Sequence, residues 1–253
     1  MFTILHKIKH VCNYLLKKIG LYDVFHKTII KLFSKREILS RKYLYGKGIE
    51  IGALHTPLAL FNKAKAIYID RLDNKGLRNH YPELNKFSFV PVGFVEDGEV
   101  LKSIKSNSQD FLIANHFIEH CENPIATIKN HLRVLKIGGI LYYAVPDKRY
   151  TFDTVRELTT FIHLKHDYEK GIIQSRKNHY NEWAKEILQL TGQDALQKAR
   201  VLQKTKYSIH FHVWTMDSFK SMLKNIKSTY HFPFEIVTII PNINEFIVIL
   251  KKV

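Results

Sequence analysis

With 253 residues and 45% hydrophobic content, the chain suffices for one large domain, or a domain with an appendage, around a sizeable core. Its two cysteines, Cys12 and Cys121, exclude a disulfide scaffold and a cysteine-rich zinc site and fit a reducing cytoplasm, while no apolar run reaches a membrane span and no signal peptide is visible. The formal charge is +16, and residues 1–47 hold eleven Lys/Arg against two acids, a balance that points to an acidic small substrate, an anionic lipid surface or nucleic acid.

Residues 1–20 place Leu5, Ile8, Val11, Leu15 and Ile19 at helical spacing, with Lys7, His10, Lys17 and Lys18 off that stripe and Gly20 as its stop. Residues 23–45 repeat the pattern more loosely. Residues 1–45 therefore read as two basic amphipathic helices. They dock on the main domain or on a second copy in a homo-oligomer, or they lie peripherally on the inner membrane face. From residue 48 the pattern alternates. Strands are expected at 48–52, 66–70, 87–92, 110–115 and 140–145, and helices at 73–80, 98–105 and 124–135. Such alternation implies an α/β fold whose parallel sheet binds ligands at the carboxyl ends of its strands. Residues 147–212 break the rhythm. They are polar, rich in His, Arg and Tyr, and helical in pattern around 154–168, 178–191 and 193–204. An insertion after the fifth strand falls over the ligand edge, so a lid forming the acceptor pocket is expected. A helix over 215–226 and two β-rich runs around Pro241-Asn242 close the chain as an antiparallel hairpin.

Two strand ends carry the chemistry. The run GIEIGALHTP breaks at Gly52, where the missing Cβ lets a ligand approach the backbone. The run AIYID ends on Asp70, eighteen residues further on, where such folds grip a ribose diol. Leu54 stands where a dinucleotide loop needs a second glycine, and Pro57 removes an amide donor. A diphosphate is thus a poor fit, and a ribose cofactor without phosphate, such as S-adenosylmethionine, fits better.

The order of these elements resembles the class I S-adenosylmethionine-dependent methyltransferases. Residues 46–252 resemble, more narrowly, a bacterial subfamily associated with surface polysaccharides. The matching stretches are GIEIGALHTPL, YIDRL, VEDGEVL, DFLIANHFIEHCENPI, RVLKIGGILYYAVPDKRYTFD, R..T...HL..D, SR..HY.EW, HFHVWT and NEFIVIL. The resemblance implies a Rossmann-like seven-stranded sheet with a reversed last strand. It implies that Glu50 and Gly52 line the amino-acid end of the cofactor, with Ala53 beside them. Asp70 would hold the ribose, with Arg71 beside it, and Glu96 and Asp97 would lie near the adenine.

Methyl transfer needs a nucleophile in line with the S–CH3 bond, and an oxygen nucleophile must lose a proton. Asn115 and His116 follow the fourth strand and are expected to face the methyl donor. His116 is the first choice as general base, kept neutral by the nearby sulfonium. His179 in the insertion is the second, and His120 reads as structural. Arg156, His163, Arg176 and Tyr180 are expected to hold the acceptor. Arg156 and Arg176 clamp a phosphate in one reading. In the other they pair with Asp153 and Asp167 and fix the lid. His210 and His212 sit two apart, a spacing too common to assign a metal. The expected reaction is O-methylation of a phosphorylated sugar, on a nucleotide or lipid carrier, without nucleic acid. The competing readings are an amine-bearing small molecule or RNA as acceptor, and a non-catalytic fold that only binds the cofactor.

Overall fold

The computed structural model describes residues 34–253. The helix expected over 1–20, and most of the one over 23–45, lie outside the described residues. What is described of the second is α1 (Lys35–Tyr43). There follow β1 (Lys47–Ile51), β2 (Lys65–Asp70), α2 (Asn74–His80), β3 (Val92–Val95), β4 (Gln109–Asn115), α3 (Pro124–Val134) and β5 (Leu135–Pro146). Helices α4 (Phe161–Lys170), α5 (Ile173–Glu182) and α6 (Gly192–Lys204) form the insertion. The chain ends with α7 (Met216–Tyr230), β6 (Phe234–Asn242) and β7 (Glu245–Lys252).

The seven strands form one sheet in the order β3-β2-β1-β4-β5-β7-β6. Strands β1 to β5 pair in parallel, and β7 runs antiparallel to β5 and β6. Period-two alternation sorts side chains to two faces. Leu112, Ala114, Leu141, Tyr143, Phe246 and Val248 go to one face, where α3 and α7 cover them through Ile125, Ile128, Leu132, Phe219 and Leu223. Phe111, Ile113, Tyr142, Ala144 and Ile247 go to the other, under Leu39 and Leu44 of the α1 segment and Leu58. Because both faces are covered, the strands read as nearly unbroken apolar runs. Helix α3 starts where Asn123 caps the amide of Ala126 at 3.0 Å, with Pro124 at its first position. A capping box between Thr215 and Ser218 opens α7.

The insertion helices fall at Phe161–Lys170 and Ile173–Glu182 and not around 154–168 and 178–191, and three further expectations shift. The third strand is Val92–Val95 and not 87–92. Residues 98–105 make successive turns and no helix. Helix α3 ends at Val134, and β5 begins at once with Leu135, well before the expected residue 140. The apolar count over 98–105 favours a helix, but Leu101 takes a left-handed φ of 50° to bury itself fully, which ends any helical run.

Gly48 of β1 lies opposite Phe111 of β4, where there is no space for a Cβ. A Cβ there would meet the Phe111 carbonyl oxygen at 2.3 Å and the Phe111 ring at 2.4 Å. Neither the ladder carbonyl nor the buried ring has room to yield. Gly48→Ala is expected to cost about 3 kcal/mol, the upper range for overpacking, in urea-unfolding midpoints. A change within about 0.5 kcal/mol, the size of a neutral surface substitution, would contradict this packing.

Candidate active site

The carboxyl ends of β1, β2 and β4 open onto one cavity of about 400 Å³, lined in part by Gly52, Leu54, Asp70, Tyr81, Asp97 and His116. That volume suits a nucleoside-sized ligand. Gly52 holds a positive φ of 67° while its amide donates to Ile69 O at 2.9 Å. A Cβ on Gly52 would meet nothing within 4 Å. The backbone is therefore bare toward the cavity, a cradle that any side chain would fill. Asp70 ends β2 with Oδ1 accepting the Arg71 amide at 2.7 Å, and burial pushes its carboxyl above the usual range. Glu50 turns away from this cavity. Its Oε1 accepts the Leu58 amide at 2.9 Å, and burial raises it to about 7. Ala53 is buried beside Gly52, Arg71 and Asp97 line the cavity, and Glu96 is bonded to the Ser103 amide at 2.7 Å.

At the tip of β4, Asn115 keeps both side-chain polar atoms buried and without a partner among the described residues. Such atoms cost free energy unless a ligand meets them. His116 follows in the left-handed region, φ 49°, its amide held by Ala144 O at 2.8 Å. Non-glycine residues in that region are uncommon and gather at functional sites. Its ring is 41% exposed, and Nε2 lies 2.7 Å from Glu245 Oε2 at the start of β7. Glu245 also takes a bidentate pair from Arg36 and a bond from Asn242 Nδ2 at 2.6 Å. Burial alone would raise Glu245, but these donors outweigh it and hold it at about 2. Partial burial opposes a charged His116, yet the Glu245 hydrogen bond and the Glu119 charge win and hold it above its usual value. The sequence reading missed Glu245, although an acid at the head of the apolar run NEFIVIL is the same signal that Asp70 gives.

The insertion closes over this edge, with a small core of its own around Trp183, Ala195, Leu202 and Ile209. Arg156 is 2% exposed, and its five N–H groups go to Asp153, Glu182, His210 O and Phe211 O. This matches the lid-fixing reading of Arg156 and leaves it no donor for a phosphate. Arg176 pairs bidentately with Glu122, and not with Asp167. Tyr180 donates to Tyr207 O at 3.0 Å. A second cavity of about 830 Å³ adjoins the first and shares Arg71, Asp97, Glu99, His120 and Ser208 with it. Among its lining residues, Arg200, Lys204 and Lys206 make no salt bridge among the described residues. His163 and His179 do not line either of these two. They line a third cavity of about 470 Å³, their Nε2 atoms 3.0 Å apart, with His212 against both rings.

This edge, with its bare glycine, its strand-end aspartate and its reversed β7, belongs to an α/β fold of the methyltransferase type. Residues 48–143 match the family model described as a methyltransferase domain. The matched stretch runs from β1 into β5 and so carries the strand ends that line this cavity. No curated protein matches the chain. Among solved structures, a Rhodobacter sphaeroides protein provisionally described as a Zn-dependent alcohol dehydrogenase is 12% identical, with 87% of this chain and 90% of that one covered and a TM-score of 0.53. That likeness concerns the fold. A SAM-dependent methyltransferase from Aquifex aeolicus is 12% identical over 87% of this chain and 90% of its own, with a TM-score of 0.46. A Pyrococcus horikoshii protein is 14% identical over 90% and 91%, with a TM-score of 0.49. No helix among the described residues is long and apolar enough to cross a membrane.

Proposed function

We propose that the protein is an S-adenosylmethionine-dependent methyltransferase that O-methylates a hydroxyl of a phosphorylated sugar, carried on a nucleotide or a lipid, in surface-polysaccharide synthesis. The observation that supports this reading is the 830 Å³ cavity beside the cofactor cavity, where Arg200, Lys204 and Lys206 make no salt bridge among the described residues and stand opposite the acidic Glu96, Asp97, Glu99 and Glu122 of the same lining. Lysine and arginine at a partly enclosed wall attract phosphate oxygens, and arginine binds them bidentately. Tyr207 lines the same wall and offers a face for a sugar or base.

S-adenosylmethionine supplies an electrophilic methyl group on its sulfonium. The chain's part is to position and to move a proton. Gly52 leaves backbone free for the cofactor's amino-acid end and Asp70 holds the ribose diol, while Asn115, which does not line the cavity, is no part of this contact set. His116 accepts the proton of the acceptor hydroxyl, with Glu245 fixing the ring and stabilising the imidazolium that forms. Arg36 in turn holds Glu245, so the α1 segment belongs to the catalytic edge and is not a detachable appendage.

The lid cations give the test. Replacing Lys204 and Lys206 together by Ala should raise the KM for a nucleotide-sugar acceptor by about 10-fold, from losing charge-assisted contacts of roughly 1.5 kcal/mol. Affinity for S-adenosylhomocysteine should not move. An unchanged KM, or an equal fall in cofactor affinity, would remove the phosphate from this cavity.

A further inference from the structure

One buried carboxylate at this edge acts on His116 only through its charge. Glu119, just after β4, is 1% exposed, and neither of its carboxylate oxygens accepts a hydrogen bond from another described residue. The closest cation in range is the half-exposed His116, with Nδ1 3.8 Å from Oε1. A buried carboxylate left in that state is costly as an anion: it takes up a proton, the direction in which burial pushes Glu119, or it is paired or coordinates a metal. Two imidazoles face it. His120 Nδ1 lies 2.9 Å from Ile209 O, an atom that only accepts, so this nitrogen carries the proton and Nε2 keeps its lone pair. His210 Nδ1 lies 2.6 Å from Asp153 Oδ2, which likewise places the proton on Nδ1 and frees Nε2. The two rings meet edge-on with centroids 4.7 Å apart, and the ligand atoms of all three residues fall within 4.8 Å of one another. A histidine that donates one ring N–H to a carboxylate or carbonyl while the other nitrogen is free is the arrangement metal ligands adopt.

We propose that Glu119, His120 and His210 form a site for a divalent transition-metal ion, Zn²⁺ in class, at the wall shared by the cofactor and acceptor cavities. Two histidines and a carboxylate leave coordination positions open. His120 lines both cavities, so an open position faces the acceptor. The ion would there hold an acceptor oxygen, a role that rests on the methyl-transfer reading, whereas binding of the ion does not. The other histidine group has less need of a metal. His163 and His179 already contact each other through Nε2, and Asp167 lies 3.3 Å from His163 Nε2 and accepts Ser175 Oγ at 2.7 Å.

The test is calorimetric titration of Zn²⁺ into the chelator-stripped full chain, with Co²⁺ absorption as a second readout and S-adenosylhomocysteine affinity measured in parallel. One Zn²⁺ per chain is expected at the site, and Co²⁺ bands should match a nitrogen and oxygen ligand set. Glu119→Gln and His210→Gln should each weaken Zn²⁺ at least about 100-fold, and Asp153→Asn, which loosens only the ring's support, about 10- to 100-fold. His212→Ala should leave that affinity unchanged. Glu119→Gln removes a buried charge without changing shape, so the metal-free variant should melt no lower than the parent. Zn²⁺ binding that survives Glu119→Gln, or that is lost in His212→Ala instead, would overturn the assignment. Absence of Zn²⁺ and Co²⁺ binding in a chain that binds S-adenosylhomocysteine would overturn it while leaving the methyltransferase reading standing.

Discussion

His116→Asn should lower turnover by roughly 10²–10⁴-fold, the usual range for a lost general base, with little change in cofactor affinity. The expectation rests on a ring placed at the tip of β4, in the same cavity as Gly52 and Asp70, and held by Glu245 at 2.7 Å. The pH profile gives a second readout. A base must be neutral, and the carboxylates hold His116 above its usual value. The rate should therefore rise with pH through a midpoint above about 6.5, the ordinary imidazole value, and then level. A bound sulfonium pulls that midpoint down, so the cofactor complex should titrate lower than the free enzyme. Glu245→Gln should lower the midpoint further, because the hydrogen-bonded anion is gone. The same linkage has a stability side. Because the folded pKa is raised, the His116 contribution is full below the unfolded value and is lost as pH rises through the folded one. Glu245 has the opposite sign. Its contribution is full above the ordinary carboxylate value and is lost as pH falls toward about 2. Near-normal turnover in His116→Asn would move the base elsewhere. His179 is then the second candidate, although it opens onto a different cavity.

Asp70→Ala should weaken S-adenosylhomocysteine binding by about 10- to 150-fold, the equivalent of 1.5–3 kcal/mol for hydrogen bonds to a charged group. Burial already raises the Asp70 carboxyl, so the site holds that anion at a cost that a diol donating two hydrogen bonds would offset. Asp70→Asn should lose less, since one acceptor remains. Calorimetry that finds the Asp70→Ala variant unchanged would take the ribose away from β2.

The central sheet was legible because its period is two and its ends carry turn chemistry. Gly52 and Asp70 stand out in sequence for the reason they matter in space: each interrupts an apolar strand at its carboxyl end. The antiparallel pair at the end was legible from two β-rich runs around Pro241-Asn242. What escaped is long-range. Nothing local links Arg36, His116 and Glu245, which span 209 residues between the first and last. The partner of Arg176 is Glu122, 54 residues away, while the nearer Asp167 is taken by Ser175. Residues 98–105 misled because burial of Leu101 through a left-handed turn outweighs local propensity. Glu119 and His120 read as ordinary residues after β4. Only the return of the chain at 209–212, where the amides of Phe211 and His212 both donate to Glu119 O, brings His210 to them.

The most direct measurement is transfer of a ¹³C-labelled methyl group from S-adenosylmethionine to a panel of nucleotide sugars and lipid-linked sugars, read by NMR of the product. The proposed function predicts one new O-methyl signal on a sugar ring, present with the parent enzyme and reduced roughly 10²–10⁴-fold with His116→Asn. A methyl group found on nitrogen, or on a sugar hydroxyl at an undiminished rate in that variant, would contradict it.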